Sequence, residues 1–273
     1  MRHLFRTTTS TGPPRERHVT EKLEDSPWIR RFHESVPGAP RLVCFPFAGG
    51  SASYFYELSQ RLRAVAAVLA VQYPGRHDRM GEACVESVPE LAAGVAEALA
   101  ASADDRPVVF FGHSMGALVA FETAIALSGG DSAPRALIVS ASRGPSVPAR
   151  RDENFGTDAE IMADLRELNG TSEQLLANEA LMQVVLPVVR ADYRAVARYR
   201  SSPEARVSCP VTALTGDDDP LVDQSEARVW ERHTTGGFRL RQFPGGHFFL
   251  DENRDRLCEE LALLTASAAA PGH

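Results

Sequence analysis

The stretch "VVFFGHSMGALVAFETA", residues 108–124, decides how the rest of the chain is read. Its first four residues are β-branched or aromatic and apolar, a run suited to a buried strand. A Gly-His-Ser-Met-Gly corner follows, then small and apolar residues suited to a helix. Gly-x-Ser-x-Gly alone is a weak signal, because its residues are common. Between a strand and a helix it becomes specific: this is the setting in which a nucleophilic serine stands on a strained turn with its Oγ exposed. Gly112 and Gly116 are then required because the turn brings the flanking backbones too close for a Cβ. The helix opening after Ser114 aims free N–H groups and its positive dipole end at any anion forming there. The competing reading is a serine that merely caps a helix.

Moving outward from this corner, short apolar runs alternate with helix-like segments from Arg41 onward. Strands are expected at 41–47, 68–74, 107–112, 135–142, 210–216 and 239–244. Continuous apolar strands alternating with helices point to an α/β fold, a mostly parallel sheet covered by helices on both faces. The alternation breaks between about 145 and 205, where helical patterns occur without a strand. A structureless loop of that length is rare, so a helical lid inserted above the sheet is expected. Its apolar residues, including Met162, Leu165, Leu168, Leu175, Leu176, Leu181, Met182 and Leu186, are candidates to pack the insertion or to line a pocket.

A serine hydroxyl needs a base, and the base needs an orienting carboxylate. In this strand order the chain supplies serine, acid and histidine in turn. His247, in "FPGGHFFL", follows the last expected strand and two glycines, on a loop able to reach back over the strand ends. The other histidines are in the tails, precede the serine, adjoin it (His113, expected to point away from the Oγ) or end a helix (His233). "TGDDDP" offers three adjacent carboxylates, which cannot all ionise in one buried site. Asp219 is preferred, because it is furthest into the loop and Pro220 stiffens it, with Asp218 as the alternative; on this choice Asp217 and Asp218 face solvent. The oxyanion donors are expected to be the backbone N–H groups of Met115 and of Ala48 in "CFPFAGGSAS".

The composition fits one globular α/β unit: 273 residues, 44% hydrophobic and 24% charged. Residues 1–25 carry Pro, Thr and Arg without an apolar core segment and are expected to be a disordered leader, followed by one domain over 26–268. A net charge of −7 argues against nucleic acid or an anionic membrane as partner. The four cysteines form no metal-ligand spacing, so no metal or other cofactor is expected, and a reducing, cytoplasmic setting is.

With these residues in place, the chain resembles the stand-alone type II thioesterases of polyketide and nonribosomal peptide synthases, which have the α/β-hydrolase fold. The resemblance rests on "RLVCFPFAGGSASYF", "VQYPGRHDR", "PVVFFGHSMGALVAFE", "LPVVRADYRAVARYR", "TALTGDDDPLV" and "FPGGHFFL", in order from Arg41 to about Leu250. It implies a Ser114–His247–Asp219 triad, donors at Ala48 and Met115, and a lid. It also implies a substrate: aberrant or stalled, short acyl groups on the phosphopantetheine arm of an acyl or peptidyl carrier protein. A monomer is expected. Arg190, Arg194 and Arg198 recur every four residues on one helix face, candidates for the arm's phosphate or an acidic carrier, or else a solvated face paired with Asp192 or Glu204. Arg76 and Asp78 are expected to pin their loop near the site. Two other functions compete: a general carboxylesterase or lipase on free esters, told apart by its indifference to a carrier, and an inactive binding module, told apart by failure of Ser114 to label with a phosphonate.

Overall fold

The computed structural model describes residues 26–148, 157–168 and 173–270; the expected leader at 1–25 and parts of the insertion lie outside them. Seven strands form one sheet: β1 (Ile29–Arg30), β2 (Arg41–Phe45), β3 (Ala67–Val71), β4 (Val108–His113), β5 (Ala136–Ser140), β6 (Val211–Gly216) and β7 (Phe238–Phe243). Their order is β1-β3-β2-β4-β5-β6-β7, with β1 antiparallel to β3 and every other pair parallel. The six expected strands correspond to β2–β7. β1 is an addition, two residues long and so too short to leave a pattern in the sequence.

The sheet is buried because its strands put apolar side chains on both faces, alternating residue by residue. Val43, Phe45 and Phe110 face one core with helices α2 (Val88–Ala101) and α3 (Met115–Ala126). Leu42, Cys44, Val109 and Phe111 face the other with α1 (Tyr56–Leu62) and the C-terminal helix. Each such Val, Leu or Phe contributes about 1.5–3 kcal/mol by leaving water. β7 is the exception: it closes one edge, and its Arg239 and Arg241 are exposed, charges that discourage edge pairing.

Among the described residues of the insertion between β5 and β6 are the helices α4 (Asp158–Glu167), α5 (Glu173–Leu176) and α6 (Glu179–Arg198). Thr157 and Glu160 form a reciprocal capping box that starts α4, and the Asn178 side chain accepts from the Leu181 amide to start α6. After β6 comes α7 (Gln224–Arg228). The helical segment after β7 is divided into α8 (Phe249–Glu252) and α9 (Arg254–Ala269). Asn253 makes the break, its side-chain amide donating to the carbonyls of Pro244 and Phe249.

Candidate active site

Ser114 is the single residue between the end of β4 and the start of α3. Its backbone has φ 53° and ψ −119°, a region that costs a non-glycine residue about 1–3 kcal/mol and persists only when the surroundings enforce it. The enforcement is visible. The Ser114 N–H donates to the Ser140 carbonyl on β5 at 2.8 Å. A Cβ on Gly112 would lie 2.3 Å from the Gly116 carbonyl oxygen, and one on Gly116 would lie 2.1 Å from that of Phe45. Both glycines let strand, turn and helix touch backbone to backbone.

The loops after β6 and β7 meet in the same way. A Cβ on Gly216 would lie 2.3 Å from the Gly245 carbonyl, and the Asp218 N–H donates to that carbonyl at 3.0 Å. This contact brings an acid and a base together although 28 residues separate them in sequence. His247 Nδ1 is 3.0 and 3.1 Å from the two Asp219 oxygens, and His247 Nε2 is 3.0 Å from Ser114 Oγ. The Asp219 side chain is fully buried and that of His247 nearly so. An ionised Asp219 can only accept, so Nδ1 carries the proton and Nε2 is left to accept from the serine hydroxyl. Asp219 is further oriented by the Leu221 N–H at 2.9 Å. Asp217 and Asp218 are exposed, and Asp217 instead accepts from the Gly245 N–H at 2.8 Å.

His113 is turned away from the serine hydroxyl and toward β5, where its Nδ1 is 3.0 Å from Ser140 Oγ. Its ring centroid is 5.4 Å from that of His247. Burial, and then the nearby His247, hold its pKa well below the ordinary histidine value. A neutral ring therefore supports His247.

Above Ser114 is a cavity of about 170 Å³, bounded by the loop after β2, by Leu118, by Phe248, and by α4 and α6. Ala48 and Met115 are part of its wall. Among the described residues no backbone hydrogen bond engages the Ala48 N–H, and Met115 is the first residue of α3, where an N–H has no intrahelical partner. From the insertion, Leu165 and Leu168 contribute, as do Val185, Val189, Tyr193 and Val196 along one stripe of α6. The Tyr193 hydroxyl donates to Asp164, joining α6 to α4 across the wall.

Of the described apolar pocket candidates only Leu165 and Leu168 line it; Met162, Leu176, Leu181, Met182 and Leu186 do not, nor do Arg190 and Arg194, the candidates for the arm's phosphate or a carrier surface. Leu186, Arg190 and Arg194 each follow a lining residue by one position, which turns them about 100° round the helix. Met162 is one turn before Leu165. Arg190 pairs with Asp158, and Arg194 and Arg198 both pair with Glu86 at 2.9 Å, not with Asp192 or Glu204. Asp192 points inward. It receives two hydrogen bonds from Arg76 at 2.6 and 2.8 Å, and one from the Gly49 N–H at 2.7 Å. Arg76 thus ties its loop to α6, whereas Asp78 pairs at the surface with Arg30. Burial disfavours the Arg76 cation, but the Asp192 carboxylate outweighs this and keeps its pKa above the ordinary arginine value. The sequence did carry a signal for Asp192: it falls in helical phase with the buried Val188, Val189 and Ala195. No cluster of three or more His, Cys, Asp or Glu suited to a metal occurs among the described residues.

Residues 40–263 match the family model described as a thioesterase domain. The chain belongs to the thioesterase family. This thioesterase is 46% identical over 245 residues to the probable cadicidin biosynthesis thioesterase of Streptomyces griseus, covering 89% of this chain and 68% of that one. It is 45% identical over 236 residues to thioesterase PikA5 of Streptomyces venezuelae, covering 86% and 84%. Among solved structures it superposes on the type II thioesterase BorB from the borrelidin biosynthetic cluster with a TM-score of 0.80 and 43% identity, over 87% of this chain and 97% of BorB. The fold is accordingly that of the α/β-hydrolase type II thioesterases of polyketide and nonribosomal peptide clusters, and the enzyme is a hydrolase acting on thioesters. Among the described residues, no helix is long and apolar enough to cross a membrane.

Proposed function

We propose that this thioesterase removes short acyl groups from the phosphopantetheine thioester of acyl or peptidyl carrier proteins through a covalent intermediate on Ser114. The observation that carries the reading is the unbroken chain of contacts from Asp219 through His247 to Ser114 Oγ, at 3.0 Å on each side, opening into a small apolar chamber. Ser114 Oγ attacks the thioester carbonyl carbon as its proton passes to His247 Nε2. The carbonyl oxygen becomes an oxyanion, held by the N–H groups of Ala48 and Met115. Collapse breaks the carbon–sulfur bond, and the thiol leaves with the proton from His247. A thiol with a pKa near 8.5 departs more readily than an amine would. Water then attacks the acyl-enzyme with His247 as base, releasing the acid and restoring Ser114.

Chamber size supports a short acyl group. A dry cavity of about 150 Å³ accommodates benzene, six carbons, and this one is about 170 Å³. Carrier proteins loaded with acetyl, propionyl, butyryl, longer and malonyl groups test the reading directly. Turnover is expected to favour unbranched acyls up to about six carbons, to fall for longer chains and for malonyl, and to vanish in Ser114→Ala. Equal hydrolysis of simple oxygen esters, with no preference for the carrier-bound form, would overturn it.

A further inference from the structure

The roof of the chamber also holds the oxyanion loop. Asp192, on α6, is completely buried, and Arg76 opposite is 5% exposed. Arg76 also donates to the Gly50 and Pro74 carbonyls at 3.2 Å. The same Asp192 oxygen that meets Arg76 Nη1 accepts from the Gly49 N–H. One carboxylate from the roof therefore fixes the peptide that immediately follows Ala48. There is no slack at that point. Gly49 has φ 78°, and a Cβ on it would lie 2.7 Å from Val189 Cγ2, the side chain one turn before Asp192. A buried ion pair is a weak source of stability, since an apolar pair of similar volume often serves as well. What an apolar pair cannot do is accept from Gly49.

We propose that Asp192, set in place by Arg76, is a positioning residue for the oxyanion donor at Ala48, so that closing the roof and completing the oxyanion site are a single event. This rests on the assignment of Ala48 and Ser114 above. When α6 lifts, the acceptor of the Gly49 N–H leaves with it and the Ala48 N–H loses its aim. The enzyme would then stabilise the tetrahedral intermediate only with the chamber shut.

The test replaces both charges at once, which spares the fold an unpaired buried ion. Arg76→Met/Asp192→Leu removes the acceptor, while Arg76→Met/Asp192→Asn keeps one for Gly49. Three readouts are compared in each: kcat/KM on an acyl-pantetheine thioester, affinity for an alkyl boronic acid that forms a tetrahedral adduct on serine, and affinity for a non-cleavable thioether analogue. Deleting an oxyanion donor costs about 10²- to 10³-fold, so misaiming one is expected to cost about 10- to 100-fold. In the Leu variant kcat/KM and boronic acid affinity should fall together by that factor, with thioether affinity held within about twofold. The Asn variant should recover most of the loss. Wild-type kcat/KM in a folded Leu variant, or equal weakening of boronic acid and thioether, overturns the proposal. Amide exchange on the wild-type enzyme decides it without any variant: Gly49 must open together with the α6 amides, and independent exchange of Gly49 refutes the coupling. Ser114→Ala separates the two readings. If it stays active the Ser114 assignment fails; if it is dead while the Leu variant is fully active, only the coupling fails.

Discussion

Asp219→Asn is the substitution whose consequence follows most directly from the geometry. The Leu221 N–H at 2.9 Å holds Asp219 Oδ1, so an asparagine there keeps its carbonyl oxygen toward Leu221 and turns its NH₂ toward His247. That NH₂ takes the place of Oδ2, 3.0 Å from Nδ1. It can only donate, which favours the tautomer with the proton on Nε2, the nitrogen that should accept from Ser114, against the Oδ1 acceptor that stays 3.1 Å from Nδ1. A second loss is electrostatic. Charge centres about 4 Å apart at an effective dielectric near 20 interact by about 4 kcal/mol, so the imidazolium of the transition state loses about 10³ in rate. The wrong tautomer adds to this, and about 10⁴ in total is expected, comparable with amidation of the acid in serine protease triads. Thiol release from an acyl-pantetheine thioester measures it, with Asp218→Asn as the control. The Asp218 carboxylate is exposed and, among the described residues, has no hydrogen bond to His247, so its amide should retain nearly full activity. A loss of less than tenfold at 219, or an equal loss at 218, would refute the reasoning.

Two further outcomes follow from buried groups near the serine. Gly116→Ala puts a methyl carbon 2.1 Å from the Phe45 carbonyl, and neither backbone can yield; a stability loss of about 3 kcal/mol or more is expected, read from urea unfolding, together with loss of activity. His113 is buried and neutral with its pKa depressed, so its contribution is complete above the unfolded value of about 6.5 and is lost as pH falls from there toward the folded value. Lowering pH from about 7.5 to about 5.5 should therefore destabilise the wild type more than His113→Gln, read from urea unfolding at each pH. Parallel pH profiles for the two would show that the ring is not the source.

The strands β2–β6 were legible because a strand buried on both faces is a plain apolar run, and five such runs occur between helical patterns. The positions of Ser114, Asp219 and His247 were legible for a different reason: each follows a strand, on a turn whose Gly or Pro content betrays unusual backbone geometry. The chamber wall was not legible. α6 has two adjacent apolar stripes, Met182 with Leu186 and Val185 with Val189, and periodicity alone does not say which one faces Ser114. The partners of its arginines were hidden for the same reason, since Glu86 comes from a loop more than a hundred residues earlier. Asp192 shows the limit most clearly. A carboxylate in phase with buried residues signals a buried partner, but only the fold reveals that Arg76 and the Gly49 N–H share it.

Topology explains why one helix can both roof the chamber and hold the oxyanion loop. Parallel strands deliver the loops after β2, β4, β6 and β7 to the same end of the sheet, and these loops bear Ala48, Ser114, Asp219 and His247. In the sheet order, β5 stands between the strand of Ser114 and the strand of Asp219. An insertion leaving the end of β5 therefore emerges between nucleophile and acid. α6 nevertheless touches Gly49, on the loop after β2, which is on the far side of β4. To do so it must cross above the nucleophile strand, and this crossing is what roofs the chamber. A movement of α6 that uncovers Ser114 must also pull on the peptide next to Ala48, because a hydrogen bond of 2.7 Å is lost with the first ångström or so of separation. Under the proposed coupling, access and catalytic alignment are opposed: the geometry that admits an acyl group is not the geometry that stabilises its tetrahedral intermediate.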